Sequence, residues 1–382
     1  MNRLLGLELL RGVAATLVLL EHLRWPVWEV CGSATFTMPA SLNQFEGYWG
    51  VDIFFVLSGY LIGLTLDKPG TTARSFLKAR AARILPLYLV ASAICLAAPA
   101  LRVNPLTGPA PLTAAMAVTT ATLLPLAGDA LDPVAAHPFG WTLCYEMGFY
   151  LVATALAAAV GARRAVPAMV GLFLLAPAAF TAAGPVPGWA FPNFALSPLT
   201  CEFALGLVAY RTTGRLPKWA GWALVAVAVA GFVRAGFAPG NYGMQSRLLA
   251  DPLLAWTRVA RYGLPAFAGV LGVARLDCAG TFAPVARLAT AVGAVSYSLY
   301  LVQPFAAASS VPFGVALGFT QAWPTAAAVF AGTLLAATAV ARYVDLPLHA
   351  AAKRWLSRPP APRPASVREA ASPPIALEVT PR

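Results

Sequence analysis

Charge is scarce in this chain: only 11% of its 382 residues are Asp, Glu, Lys or Arg, and only three are His. Set against 59% hydrophobic residues and a mean hydropathy of +0.70, that scarcity excludes an ordinary water-soluble domain. The five cysteines (Cys31, Cys95, Cys144, Cys201, Cys278) are scattered without metal-ligand spacing, so no metal is expected. No cleavable leader is expected either. Glu8 and Arg11 interrupt the first apolar run, and no small-residue cleavage site follows it. The Gly-x-Ser-x-Gly elbow of a serine hydrolase is missing around Ser58. No internal repeat of the kind many transporters carry is visible.

What is present is a series of apolar runs approaching the roughly 20 residues needed to cross a bilayer as a helix. The fold class is therefore an all-α polytopic membrane protein. Spans are expected near 5–23, 50–66, 84–101, 140–160, 165–183, 196–210, 219–233, 262–274, 289–308 and 324–341. The segment from Leu112 to Leu126 is short and rich in Thr and Pro, which suits a re-entrant or interfacial piece better than a crossing. Trp25, Trp28, Tyr48 and Trp49 are candidate interface aromatics. Residues 1–357 make one membrane domain, and the Pro/Ala/Ser-rich tail 358–382 is expected to be disordered.

The net charge of +12 is of the size that marks nucleic-acid binders, but its distribution excludes that class. The basic residues cluster between apolar runs, as topology determinants do. With about ten transmembrane helices and both termini cytoplasmic, most of the 27 Lys and Arg fall on inner segments. Arg24, Arg102, Arg234, Arg247, Arg258 and Arg261 are left outside. Counting Leu112–Leu126 as a crossing would put Arg163 and Arg164 outside as well, so ten spans fit better.

One stretch, from Glu8 to His22, organises the rest. It carries Arg11 and His22 on a single apolar helix, eleven positions apart. Eleven steps bring the two to nearly the same face, about 16 Å apart along the axis. A charge and an imidazole on one stripe of a membrane helix are expected to face a polar interior, so this helix reads as one wall of a channel. A neutral His22 can take a proton from a hydroxyl near pH 7; the plain alternative is a helix-end histidine at the interface. His137 and His349 read as structural or solvated.

Other polar groups fall into two sets. Glu146 follows Trp141 in Trp-Thr-Leu-Cys-Tyr-Glu; a carboxylate there can orient an imidazole, or can bridge to an arginine for packing alone. Arg80 and Arg83, three apart, can grip phosphates bidentately, or can simply anchor topology. Asp52 has three readings: a partner for Arg11, a partner for His22, or a cap on the second helix. Ser58-Gly59-Tyr60 reads as a close-packing site more than as a nucleophile. Asp52, Tyr60, Trp141, Tyr300 and Gln303 are candidates to line the channel, as is Glu202 inside its own span.

Taken together, these pieces resemble the membrane acyltransferase-3 family of bacterial O-acyltransferases. The resemblance runs over most of the chain and rests on five motifs in order. They are Arg11 with ten residues before His22; Gly50-Val-Asp52-Ile-Phe-Phe-Val-Leu-Ser58-Gly-Tyr60; Arg80-Ala-Ala-Arg83-Ile-Leu-Pro86; Trp141-Thr-Leu-Cys-Tyr-Glu146 with Phe149-Tyr150; and Ser296-Tyr-Ser-Leu-Tyr300 followed by Val344-Asp345-Leu-Pro347. The resemblance implies a ten-helix fold, a cytoplasmic acyl-CoA donor and transfer to a hydroxyl on the outer side. It implies that Arg11 and His22 form the essential pair, that Arg80 and Arg83 bind the donor, and that Glu146 is the conserved acid. Gln303 stands where many members have His, which leaves His22 as the main catalytic candidate. Asp345 stands where Glu is common.

The expected activity is that of an inner-membrane O-acyltransferase, foremost an O-acetyltransferase, with His22 as general base held by Glu146. Acyl-CoA (acetyl-CoA) would serve as co-substrate, with no permanently bound cofactor. The acceptor would be a hydroxyl of a surface glycan or its precursor; a macrolide or other small metabolite is the competing acceptor. A glycan or lipid-linked-sugar transporter is the competing class, since buried charges mark transport paths too. Direct transfer, an acyl-His intermediate and the oligomeric state all remain open.

Overall fold

The computed structural model describes residues 4–23, 26–27, 47–101, 113–125, 135–236 and 245–357. Trp25, Trp28 and the 358–382 tail lie outside the described residues. Among the described residues there are helices and turns and no strand. In chain order the helices are α1 (Leu5–His22), α2 (Gly50–Leu66), α3 (Ala73–Leu101), α4 (Ala114–Thr122), α5 (Gly140–Val160), α6 (Ala162–Ala183), α7 (Ala190–Ala195) and α8 (Cys201–Thr213). They continue with α9 (Lys218–Gly236), α10 (Gln245–Ala250), α11 (Pro252–Arg258), α12 (Leu264–Cys278), α13 (Ala286–Ala316), α14 (Ala322–Val340) and α15 (Leu346–Leu356). Five-residue π turns, Val259–Gly263 and Ala341–Asp345, join α11 to α12 and α14 to α15.

Seven helical segments among the described residues are long and apolar enough to cross a membrane: Gly47–Leu66, Ala73–Ala97, Gly140–Val160, Ala162–Ala183, Lys218–Gly236, Ala283–Ala306 and Ala322–Leu356. The chain is thus an all-helical, multi-pass membrane protein. The other three expected spans are helical but fall short by length or charge. Helix α1 is 18 residues long and carries Glu8, Arg11 and Glu21. Helix α8 has 13 residues and α12 has 15. All three sit inside the bundle: α1 packs along α13 and α2, and α8 along α2 and α12. A helix covered by protein can carry polar groups that lipid would not tolerate.

Two expected boundaries move. Helix α3 starts at Ala73, so Arg74, Lys78, Arg80 and Arg83 belong to the helix itself and not to the connection before it. Helix α13 runs on to Ala316 through Pro304 and Pro312, as buried membrane helices can when neighbours satisfy the freed backbone groups. The ambiguous segment at 112–126 contains only the nine-residue α4, which is about 14 Å long against a hydrocarbon core of about 30 Å.

Small residues let the central helices approach. A methyl group on Gly59 of α2 would overlap the Phe203 carbonyl of α8, and one on Gly206 would overlap the Val56 carbonyl. Such glycine contacts are how membrane helices gain packing where burial from water contributes little. Helix α1 begins after Leu4, which offers no capping side chain. Asp277, near the end of α12, supplies the cap instead, accepting from Gly6 N at 2.8 Å and Leu7 N at 3.0 Å.

Candidate active site

The bundle encloses a cavity of about 220 Å³ where α1, α2, α3, α5 and α13 meet. Arg11, Arg80, Arg83 and Glu146 all line it, together with Ser58, Thr142, Tyr150, Ser296, Tyr297 and Tyr300. Three arginines therefore share a small space with one carboxylate. Arg11 feels the fields of Arg83 and Arg80 and the opposing field of Glu146. A chamber with that balance attracts anions.

Each charged group is held by its neighbours. Arg80 donates to Thr65 Oγ1 at 2.8 Å and lies over the rings of Phe76 and Tyr150, 5.5 Å from each centroid. Arg83 donates to Asp345 Oδ2 at 3.1 Å and lies 4.9 Å from the Tyr297 ring centroid. Asp345 is the last residue of the second π turn, and it also accepts from Ser298 Oγ at 3.2 Å. Glu146 Oε1 accepts from Ser58 Oγ at 2.9 Å and from the Tyr150 hydroxyl.

His22 does not line this cavity. It ends α1, and its Nδ1 lies 2.7 Å from the Val18 carbonyl. A carbonyl only accepts, so Nδ1 carries the proton and, in the neutral ring, Nε2 carries the lone pair. The expectation that Glu146 holds His22 is not what the geometry gives. Glu146 lies seven residues beyond Phe139, the ring against which His22 rests at 4.6 Å between centroids; that is about 10 Å further along the helix. The Val18 carbonyl does the orienting.

Asp52 pairs with neither Arg11 nor His22. It forms a two-point ion pair with Arg258, from Nε at 3.0 Å and from Nη2 at 2.7 Å, with both side chains 1% exposed. Arg258 was expected on an outer segment as a topology charge; it is instead buried at the end of α11, over the Tyr48 ring. Glu202 lies in the same buried cluster, away from the cavity. Tyr60 packs edge-on against Tyr210. Trp141 packs edge-on against Tyr145. Gln303 donates to the Ala15 carbonyl at 3.3 Å, tying α13 to α1. Of the six candidate lining residues, Glu202 included, the cavity takes only Tyr300.

His137 is structural. Its Nδ1 accepts from Phe139 N at 3.1 Å, so Nε2 carries the proton and donates to the Leu301 carbonyl at 3.0 Å. His349 contacts the Ala82 carbonyl through Nδ1 at 3.0 Å and fastens α15 to α3. Tyr150, Thr142 and Tyr297 are among the cavity groups to which the sequence assigned no role. Tyr150 had a legible signal, since it lies four residues after Glu146 and so shares its helix face. The other two had none without the tertiary packing.

An arginine-rich chamber buried at the centre of a multi-pass helical bundle defines the class of this protein. The chain belongs to the membrane acyltransferase-3 family: the profile of an acyltransferase domain matches residues 4–342. It is similar to the "Exopolysaccharide production protein ExoZ" of Rhizobium meliloti (strain 1021), with 30% identity over 305 residues, covering 76% of this chain and 86% of that one. No solved structure matches.

Proposed function

We propose that this protein is an inner-membrane O-acyltransferase, foremost an O-acetyltransferase, that moves an acyl group from cytoplasmic acyl-CoA to a hydroxyl of a glycan or glycan precursor. The observation that carries the reading is the cavity in which Arg11, Arg80 and Arg83 converge. In this reading α1, α8 and α12 cross the membrane along with the seven longer segments, giving ten spans and two cytoplasmic termini. Arg80 and Arg83 hold the phosphates of the donor, and the pantetheine arm runs past Arg11 toward the end of α1.

His22 Nε2 takes the proton from the acceptor hydroxyl, whose oxygen attacks the thioester carbonyl. The new C–O bond forms as the C–S bond breaks, and the thiolate leaves with the proton to give free CoA. Bringing the donor thioester to the end of α1 where the acceptor is held supplies the proximity the reaction needs. A glycan acceptor is favoured because the similar Rhizobium protein is named for exopolysaccharide production.

The test is release of free CoA from acetyl-CoA by membranes containing the wild type or His22→Ala. Release by the wild type that falls at least 100-fold in the variant is expected for a general base. Equal release by both proteins would remove His22 from the chemistry.

A further inference from the structure

Arg80 and Arg83 are held in different ways. Arg83 has a carboxylate partner in Asp345, whereas among the described residues Arg80 has none. Arg80 docks instead near the C-terminal end of α2, where a helix presents partial negative charge. There its Nη2 donates to Thr65 Oγ1 at 2.8 Å and, at a longer 3.4 Å, to the Leu61 carbonyl. Thr65 Oγ1 gives its only proton to that same Leu61 carbonyl at 2.6 Å, so toward Arg80 it can only accept. The hydroxyl is thereby fixed along its own helix, bonded to the carbonyl four residues back. Phe76 and Tyr150 flank the guanidinium, each centroid 5.5 Å away, but a ring face attracts a cation without fixing its rotation. Thr65 supplies the direction, and it does so from outside the cavity that Leu61 and Arg80 line.

This inference rests on the donor reading above, in which Arg80 meets the phosphates of acyl-CoA. We propose that Thr65 is a positioning residue for donor binding: its oxygen holds Nη2 of Arg80 and leaves the N–H groups on Nη1 and Nε for a phosphate. Those two nitrogens make no hydrogen bond among the described residues. An arginine already fixed through one nitrogen has less freedom to lose when the anion arrives, so it binds more tightly. Because the anchor is a neutral hydroxyl, Arg80 keeps its full charge for the donor. Thr65 touches neither the donor nor the reacting atoms in this account; it acts through Arg80.

The experiment measures binding, so that no acceptor is needed. The full-length protein in nanodiscs is titrated with CoA as wild type, Thr65→Val and Thr65→Ser, and the thermal midpoint of each without ligand reports its folding. Thr65→Val keeps the shape and removes the oxygen. It is expected to weaken CoA binding about 10-fold or more, the scale of one hydrogen bond to a charged group, with the midpoint little changed. Thr65→Ser restores the oxygen and is expected to bind nearly as tightly as the wild type. In release of free CoA from acetyl-CoA the same loss is expected in KM, with kcat little changed. If Thr65→Val fails to fold, Thr65→Ala removes the oxygen without setting a methyl group in its place and is expected to show the same loss. Wild-type affinity in Thr65→Val, or an equal loss in Thr65→Val and Thr65→Ser, overturns the role of Thr65 and leaves the donor reading standing. So does a loss of affinity that comes only with a lowered midpoint, or failure of both the Val and Ala variants to fold, since either makes the hydroxyl structural. Absence of CoA binding by the wild type overturns the donor reading, and this inference with it.

Discussion

Arg83 and Asp345 are 262 residues apart in sequence, yet the Arg83 guanidinium donates to Asp345 Oδ2 at 3.1 Å at the edge of the cavity. The pair joins α3 to the π turn that follows α14. Asp345 is 2% exposed and Arg83 27%, so one partner is anchored and the other reaches toward the cavity. That asymmetry makes Asp345 a positioning residue: it fixes where the charge of Arg83 points. Asp345→Asn keeps the shape and removes the charge-assisted bond, which is worth roughly 1.5–3 kcal/mol. The expected result is an acyl-CoA KM raised about 10-fold or more with kcat little changed, and recovery in Asp345→Glu. A fall in kcat alone, with no recovery in Asp345→Glu, would make the pair purely structural.

The buried ion pair between Asp52 and Arg258 makes a different prediction, about stability. Removing one partner of such a pair costs about 3–5 kcal/mol, because the other is left charged and uncompensated. The two removals are unequal here, since Glu202 lies beside the same guanidinium and its carboxylate oxygens have no hydrogen-bond partner among the described residues. Asp52→Asn leaves Arg258 with one acidic side chain still at hand. Arg258→Met leaves two buried acidic side chains, Asp52 and Glu202, with no cation. Arg258→Met is therefore expected to lower the thermal midpoint of the detergent-solubilised protein more than Asp52→Asn does. The reverse order would show that Glu202 does not share the guanidinium.

These two pairs also mark how far the sequence could be read. The apolar runs define seven helices directly, because hydrophobic length is a local property. Helices α1, α8 and α12 were found from the same pattern although they are short or charged, and only packing explains why they tolerate it. Arg80 and Arg83 could be paired, since helical periodicity puts residues three apart on one face; Glu146 was read as the partner of His22 at the other end of the bundle, and it lines the cavity with Arg11, Arg80 and Arg83 instead. Partners could not be read that way. Asp52 finds Arg258, and Arg83 finds Asp345, across hundreds of residues and at rotations that depend on how helices cross. The same holds for Tyr300: its ring was visible as a channel candidate, but its contacts with Phe139 and Thr142 form only when α5 is laid against α13.

The last prediction concerns pH and comes from His137, in the turn that precedes α5. Complete burial pushes its imidazole down to about 4 from an ordinary value of 6.5, the Leu301 carbonyl opposing only in part. Its Nδ1 is committed to accepting from Phe139 N, so protonation there would break that bond as well. In the unfolded chain the same ring takes up a proton below about 6.5. The unfolded state therefore binds more protons than the folded state between about pH 6.5 and 4. Stability is full above that window and falls through it as pH drops, with a limiting slope of about 1.4 kcal/mol per pH unit. His137→Gln has no proton to gain and is expected to flatten that part of the profile, at the cost of a lower midpoint at pH 7.5. Thermal unfolding of both proteins from pH 7.5 to 5 measures the difference in slope, and equal slopes would mean that His137 protonates within the folded bundle.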